Sequence, residues 1–289
     1  MATLPAPIIE ICMVSYLYSV AKVTKFVKNS KEVVSFLSFD TIKKIITQLN
    51  STGNSKVRPM FQFKQFSISQ DHCAMKVGTD GVLLGAWAEL PDSGRILDIG
   101  TGTGLLVLMA AQRTKRAEIT GVEIDAAAAN QARENVQNSP WTERCHIVTA
   151  DVRDYKPDVR YSTILSNPPY YNGSLLPPDA QRAQARHASS LPPNTLAECA
   201  RRLLEPSTGT LQVVLPLSEE EALLTACAPY GLFPRRRTLV VTRRPKPPRR
   251  VLLQLSFQNG RATEDELLVS EADGTPTEMY KKLTQDFYL

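Results

Sequence analysis

From about residue 95 onward, short apolar runs alternate with longer segments whose apolar positions recur at helical spacing. The short runs predict buried strands, and the longer periodic segments predict helices. The predicted strands are 95–99, 118–124, 145–149, 161–165 and 210–215, and the predicted helices are 105–112, 126–138 and 193–204. Because strands and helices alternate with short connections, we expect a doubly wound α/β fold built on a parallel sheet.

Two further strands are predicted close together near the C-terminus, at 238–242 and 251–257. A helix is predicted to begin before them at Ser218, where three glutamates follow a capping residue. The two late strands flank a turn rich in arginine and proline, which predicts an antiparallel hairpin. The complete expectation is a mostly parallel, seven-stranded sheet with an antiparallel hairpin at one edge.

The first 59 residues differ in composition from the rest of the chain. They are rich in Val, Ile, Ser and Lys, and they end in turn-forming residues at 50–55. We therefore expect residues 1–59 to be an extension that is either extraneous to the catalytic unit or weakly structured. Residues 60–289 are expected to form a single catalytic domain. The alternative is a small helical segment that binds a partner. No apolar stretch reaches the length of about 18 residues that a membrane span needs, so no membrane association is expected.

Cysteine and histidine usage argues against a metal centre and against a disulfide framework. The five cysteines are dispersed and never spaced as CxxC, and the chain has only three histidines. This pattern is typical of a protein in a reducing compartment. We therefore expect a cytoplasmic protein without a metal cofactor.

A glycine-rich turn directly follows the strand predicted at 95–99. Gly100, Gly102 and Gly104 come just after Asp98, and glycine allows positive φ and close approach of the backbone to a ligand. The spacing also permits a dinucleotide. The carboxylate of Asp98 would repel a pyrophosphate, however, and suits the cationic amino-acid end of S-adenosylmethionine. We therefore expect S-adenosylmethionine as the cofactor.

Two more acidic residues follow predicted strands at the same carboxyl edge of the sheet. Glu123, about twenty residues after the glycines, is placed to accept hydrogen bonds from both ribose hydroxyls. Asp151 is expected to accept from the adenine amino group, and the backbone N–H of Val152 is expected to donate to a ring nitrogen. Asp125 is interpreted instead as the N-cap of the helix at 126–138.

The tetrad Asn167-Pro168-Pro169-Tyr170 begins where the strand at 161–165 ends. An exocyclic aromatic amine is a poor nucleophile, and the carbonyls of the Asn167 side chain and the Pro168 backbone would accept its two hydrogens. Pro168 and Pro169 stiffen the loop that holds these acceptors, and Tyr170 offers a ring on which a flat base stacks. With the glycine turn upstream, the tetrad indicates an N-methyltransferase. A proline turn without a catalytic role is the alternative.

Positive charge is distributed unevenly along the chain. The formal net charge of +5 lies within residues 1–60, because residues 61–289 hold 26 residues of each sign. The stretch 235–250 nevertheless has eight basic residues and no acidic one, a pattern that suits contact with nucleic acid. The candidate phosphate contacts are Arg182, Arg186, Arg235, Arg236, Arg243 and Arg244. The alternative is a solvated hairpin loop.

A family resemblance rests on these motifs together with the segment 73–87, Asn138-Ser139-Pro140-Trp141 and the terminal Phe287-Tyr288-Leu289. Over about residues 60–289 the chain resembles the class I, Rossmann-like methyltransferases with an NPPY loop. Within that class it is similar to the bacterial tRNA (adenine-N6)-methyltransferases that modify the adenosine directly 3′ of the anticodon in a valine tRNA. The resemblance implies tRNA as the partner, and it implies that the segment containing Lys76, Thr79 and Asp80 covers the cofactor.

Other readings of the same residues remain open at this point. N5-methylation of a glutamine in a protein such as a release factor makes the same demand on the tetrad. Adenine or guanine methylation of ribosomal RNA or DNA also fits the arginine block. The alternative outside the enzymes is a binding protein that holds the cofactor or RNA without turnover. A monomer is expected in each case.

Overall fold

The computed structural model describes residues 60–71, 76–169 and 191–289. Predictions that concern residues 1–59, Tyr170, Arg182 and Arg186 therefore lie outside the described residues. The strands are β1 (Met60–Gln62), β2 (Ser67–Ser69), β3 (Arg95–Ile99), β4 (Glu118–Glu123), β5 (Cys145–Thr149), β6 (Thr163–Ser166), β7 (Thr210–Pro216), β8 (Phe233–Arg243), β9 (Arg250–Ser256) and β10 (Thr263–Ser270). The α-helices are α1 (Thr79–Trp87), α2 (Leu105–Arg113), α3 (Ala126–Gln137), α4 (Pro193–Leu203), α5 (Glu220–Cys227) and α6 (Glu278–Thr284).

Eight of these strands form the central sheet, in the order β10-β8-β9-β7-β6-β3-β4-β5. Neighbouring strands are parallel except for β9, which is antiparallel to both β7 and β8. The doubly wound, mostly parallel fold is thus confirmed, as is the hairpin of β8 and β9. The sheet has one strand more than predicted, and that strand, β10, forms the edge beyond the hairpin. Its first half is Thr263-Glu264-Asp265-Glu266, so it has no apolar run that would reveal a strand.

The sheet is covered on both faces because alternate residues of each inner strand enter two separate cores. Val214 and Leu252 contribute to one core, whereas their neighbours Val213 and Leu253 contribute to the other. Residues of α1 and α2 fill the first core, and residues of α4 and α5 fill the second. Strands that are buried on both faces read as continuous apolar runs, which is why the sequence reveals them.

The β1–β2 hairpin is fixed to the C-terminal end of the chain. Phe63 stacks on Phe66 with ring centroids 4.6 Å apart, and Tyr288 stacks on Phe63 at 6.0 Å. The backbone N–H of Lys64 donates to the Phe287 carbonyl at 2.8 Å. The described residues from Met60 onward belong to one compact unit, Arg58–Leu289.

The parallel direction of β3, β4, β5 and β6 brings their carboxyl ends to one edge of the sheet. The residues that follow these four strands therefore lie near one another. The connection from α2 to β4, which contains Lys115 and Arg116, lies at the opposite edge because it precedes the first residue of β4. In the described residues no helix is long and apolar enough to cross a membrane.

Candidate active site

The glycine-rich turn after β3 has a backbone that other residues rarely adopt. Gly100 and Gly102 have φ values of +74° and +56°, and a Cβ atom added at either would meet nothing within 4 Å. The N–H groups of Gly100 and Thr101 both donate to the Val122 carbonyl, at 2.9 and 3.1 Å. The turn is therefore fixed to β4 on one side and faces open space on the other, where a ligand can approach the backbone.

Asp98 is the most deeply buried acid of the site, with 1% of its surface exposed. Its Oδ2 accepts a hydrogen bond from Thr101 Oγ1 at 2.6 Å, whereas its buried Oδ1 has no partner among the described residues. Burial raises the pKa of Asp98 to about 7, an effect that the Thr101 hydrogen bond partly opposes. A buried oxygen without a donor, on a carboxyl that burial disfavours as an anion, suits a cationic donor such as an ammonium group.

Glu123, the last residue of β4, supports the glycine turn directly. Its Oε2 accepts from the Gly102 N–H at 2.8 Å, and its Oε1 accepts from the Asp125 N–H at 3.0 Å. Each carboxylate oxygen can accept a further bond, so the predicted ribose contact requires Glu123 to share its oxygens. The next residue, Ile124, was predicted as the last residue of the strand but follows β4 in the structure, where it is 40% exposed.

Asp151 follows β5 at the same edge and is engaged by Arg153. The Nε of Arg153 donates to Oδ1 and Oδ2 of Asp151 at 2.9 and 2.8 Å, and this bonding lowers the pKa of Asp151. The carbonyl of the buried Val152 accepts from Arg202 Nη2 at 2.8 Å. The adenine contacts expected of Asp151 and Val152 stay predictions, and Asp151 would have to share oxygens that Arg153 already uses.

The three residues predicted to cover the cofactor differ in their contacts within the structure. Lys76 Nζ donates to the Gln70 carbonyl at 2.5 Å, and Asp80 Oδ2 accepts from Arg250 Nε at 2.8 Å. Thr79, the first residue of α1, is exposed. Two of the three predicted contacts are thus occupied by the protein itself, since Lys76 and Asp80 both fix the segment that enters α1.

Asn167 follows β6 and lies beside the first turn of α1. The hydroxyl of Ser166 donates to the Ile99 carbonyl at 2.9 Å, which fixes the end of β6 to the end of β3. A Cβ atom added at Gly81 would lie 3.7 Å from Asn167 Nδ2 and 2.9 Å from Leu105 Cδ2. The first turn of α1 therefore passes within van der Waals distance of the Asn167 amide, and a side chain at Gly81 would displace Leu105. Pro168 is buried and Pro169 is exposed, so one proline anchors the loop and the other faces solvent.

The arginine block, residues 235–250, contains no acidic residue in sequence, but acidic side chains from other parts of the chain contact it in the structure. The Arg236 guanidinium lies 4.4 Å from the centre of the Trp87 ring and forms ion pairs with Glu89 and Asp265 at 3.8 and 3.7 Å. Arg244 forms an ion pair with Glu266. The guanidinium groups predicted to contact RNA are thus held by intramolecular partners at Arg236 and Arg244.

The two remaining predicted arginines of the block differ in environment. Arg235 is partly buried near Gly260, whereas Arg243 is exposed and has no ion pair within the described residues. In the same part of the chain, no three His, Cys, Asp or Glu side chains form a group that could hold a metal ion.

Comparison with known proteins gives a consistent result. Residues 74–215 match the methyltransferase small domain family. A tRNA1(Val) (adenine(37)-N6)-methyltransferase of Bacteroides fragilis is 46% identical over 235 residues, which cover 80% of this chain and 98% of that protein. The protein of the same name from Salmonella paratyphi B is 44% identical over 244 residues, covering 83% of this chain and 99% of that protein.

A solved structure shares the fold at a greater distance in sequence. A predicted O-methyltransferase from Agrobacterium tumefaciens has a TM-score of 0.59 and 21% identity, covering 72% of this chain and 96% of that one. This likeness confirms the class I methyltransferase fold of the sheet. Because the similarity in sequence extends over nearly the whole length of the tRNA-modifying relatives, this chain belongs to the tRNA1(Val) (adenine(37)-N6)-methyltransferase family.

Proposed function

We propose that this chain transfers a methyl group from S-adenosylmethionine to N6 of adenosine 37 in tRNA1(Val), the activity for which its relatives are named. The observation that carries the proposal is the position of Asn167 at the carboxyl end of β6, bonded through Ser166 to the end of β3. Asp98, with its unpartnered buried oxygen, lies in β3 one residue before that end. An acceptor for an amine and a site for a cationic cofactor thus share one edge of the sheet.

The residues present fit S-adenosylmethionine. This cofactor supplies an electrophilic methyl group on a positively charged sulfur. Asp98 Oδ1 would accept from its ammonium group, and the open side of the turn at Gly100 and Gly102 would admit its amino-acid end. Glu123 would accept from the ribose hydroxyls, and the exposed Ile124 would cover an apolar face of the adenine. The adenine edge would be read by Asp151 and Val152, with Lys76, Thr79 and Asp80 holding the segment above.

Asn167 and Pro168 prepare the attacking nitrogen. The side-chain oxygen of Asn167 and the backbone carbonyl of Pro168 would each accept one hydrogen of the N6 amino group. Both bonds reduce delocalisation of the lone pair into the ring and direct it towards the methyl group. Pro169 would stiffen the loop, and Tyr170 would stack on the base. The neutral amine would form the N–C bond as the C–S bond breaks and S-adenosylhomocysteine leaves, and the nitrogen would lose its extra proton to solvent afterwards, so no charged general base is needed.

The proposed unit is a monomeric catalytic domain over residues 60–289 that acts in the cytoplasm, where tRNA is modified. The compact unit Arg58–Leu289 supports the domain boundary. One edge of the sheet is β10, whose first half is acidic, and charged side chains on an edge strand disfavour pairing of that edge with a strand of a second copy.

The function is tested with two transcripts of tRNA1(Val), one natural in sequence and one with guanosine at position 37. The wild-type protein and labelled S-adenosylmethionine should give N6-methyladenosine in the first transcript and no label in the second. Label in a glutamine of a release factor, with both transcripts unlabelled, would refute the proposal in favour of protein methylation. Equal labelling of both transcripts would move the target away from position 37.

The role of the tetrad is tested by Asn167→Ala. We expect kcat to fall by roughly 10²–10³, as for loss of one preorganised hydrogen-bonding group, with the Kd for S-adenosylmethionine nearly unchanged. Asn194→Ala, at an exposed asparagine of α4, is the matched control and should be fully active. A kcat for Asn167→Ala within a few-fold of wild type would remove the tetrad from catalysis.

A further inference from the structure

Three cations of the β8–β9 connection have no carboxylate partner within the described residues. Arg243, Lys246 and Arg249, here named the basic turn, are all exposed. Four of the other five cations of the block have carboxylate partners: Arg236 pairs with Glu89 and Asp265, Arg237 with Glu220, Arg244 with Glu266, and Arg250 with Asp80. The fifth, Arg235, has no ion pair within the described residues but is partly buried near Gly260. Ion pairing and burial together therefore distinguish these five cations from the basic turn, which is available to an external anion.

The pairing register of β7, β8 and β9 places the basic turn beyond the carboxyl edge of the sheet, the edge at which Asn167 lies. Arg250, the first residue of β9, pairs with Pro216 at the carboxyl end of β7 and with Val240 of β8. Arg243 lies three residues farther along β8 than Val240, which corresponds to about 10 Å of extended chain. The basic turn therefore projects past the carboxyl edge, on the side of the sheet from which a large substrate must approach.

The base of the basic turn is joined to the amine-binding position by a short chain of contacts. Arg250 Nε donates to Asp80 Oδ2 at 2.8 Å, and a Cβ atom added at the next residue, Gly81, would lie 3.7 Å from Asn167 Nδ2. The turn itself contains Pro245, Pro247 and Pro248, and proline restricts φ. The base of the basic turn thus contacts the first turn of α1, which lies beside Asn167.

We propose that the basic turn binds the phosphate backbone of the RNA that presents the target adenosine, an inference that rests on the proposed function. An adenine N6 that enters the site carries its own flanking phosphates to this edge of the sheet, and backbone contacts fix the register of a nucleic acid on a protein. The phosphates are the anionic groups of such a substrate. Arg235 and Arg236, seven or more residues from the tip along β8, do not take part.

The test compares two double variants that lose the same charge at opposite edges of the sheet. Arg243→Ala/Arg249→Ala removes two cations of the basic turn. Lys115→Ala/Arg116→Ala removes two exposed cations beside the start of β4, of which Arg116 forms an ion pair with Asp92 at 3.5 Å, and serves as the control for loss of charge. Binding of unmodified tRNA1(Val) is measured against salt concentration, and the Kd for S-adenosylmethionine is measured in parallel.

We expect the plot of log affinity against log salt to become less steep by about 1.4–1.8 in the basic-turn variant, since each lost phosphate contact removes about 0.7–0.9. The KM for tRNA should rise while the Kd for S-adenosylmethionine stays the same. The control should keep the wild-type slope. Arg243→Lys/Arg249→Lys should recover most of the slope, because it keeps the charges.

Two results overturn the inference: an unchanged slope in the basic-turn variant, or the same change in both double variants. If the double variant does not fold, Arg243→Ala and Arg249→Ala are measured singly, and each should reduce the slope by about 0.7–0.9. Failure of this proposal is distinguishable from failure of the proposed function. In the first case wild-type protein still methylates adenosine 37 in tRNA, and in the second it does not.

Discussion

Replacing Asp98 with asparagine tests the electrostatics of the cofactor site in the protein without cofactor. Burial raises the pKa of Asp98 from its ordinary value of 3.8 to about 7. Between these pH values the folded protein holds a proton that the unfolded chain has released. The free energy of unfolding of the wild-type protein therefore falls as the pH rises from about 4 to 7. Below that window the carboxyl is protonated in both states and contributes no pH dependence.

The magnitude follows from the two pKa values. Since a tenfold change in a proton equilibrium corresponds to about 1.4 kcal/mol, ionised Asp98 costs the folded protein about 4 kcal/mol at pH 8. Asp98→Asn removes the charge and keeps an oxygen that accepts from Thr101. The variant should therefore be more stable than the cofactor-free wild type at pH 8, by as much as about 4 kcal/mol. At pH 4 the two proteins should differ little.

The assay is urea unfolding of both proteins at several pH values from 4 to 8, without cofactor, followed by calorimetric titration with S-adenosylmethionine at pH 8. Removing one partner of a buried ion pair costs about 3–5 kcal/mol, so the variant should bind the cofactor roughly 10²–10⁴ times more weakly. Wild-type stability that does not change between pH 4 and 7 would refute the raised pKa. Normal cofactor binding by Asp98→Asn would remove Asp98 from the site.

Two other substitutions test ion pairs of the structure, one at the first turn of α1 and one between β8 and α5. Asp80→Asn should lower kcat by roughly tenfold, because the Arg250 contact holds the first turn of α1 against Asn167 and a small displacement of a positioning group has an effect of this size. The control is Glu266→Gln, in the ion pair with Arg244, which should leave kcat unchanged. A raised Kd for S-adenosylmethionine in Asp80→Asn would instead make Asp80 a cofactor contact. Arg237→Ala should lower the free energy of unfolding by about 3 kcal/mol, since it leaves Glu220 buried without a partner, and urea unfolding that shows no loss would contradict this.

Strands could be predicted from the sequence where a short apolar run is bounded by polar residues. β3, which is buried after its first residue, and β5, a partly exposed edge strand, both have the predicted bounds. β10 was missed because its first half is exposed and has no apolar run. The helix α1 was not predicted either: seven of its nine residues are buried, and a helix that is apolar on all sides gives no periodic signal.

The arginine block shows why candidate RNA contacts were harder to predict than candidate cofactor residues. The glycine turn and its acids are determined by a local pattern of strand, turn and helix. The ion-pair partners of the arginines are not local, since Asp80 is 170 residues from Arg250 and Glu266 is 22 residues from Arg244. Counting charges within 235–250 therefore gives the correct composition of the hairpin, but it overestimates the number of cations that have no acidic partner.

Asp98 and Glu123 both lie near the carboxyl ends of strands, at the edge of the sheet where the cofactor is proposed to bind. In the sequence alone they are two similar strand-end acids. Folding makes them different: the two oxygens of Glu123 already accept from Gly102 and Asp125, whereas Asp98 keeps one oxygen without a donor. In the proposed binding mode, the ammonium group of the cofactor would satisfy the buried oxygen of Asp98 that has no donor. A ribose hydroxyl at Glu123 would instead share an acceptor that also fixes the glycine turn, so the contact at Glu123 would couple ribose binding to the shape of the turn.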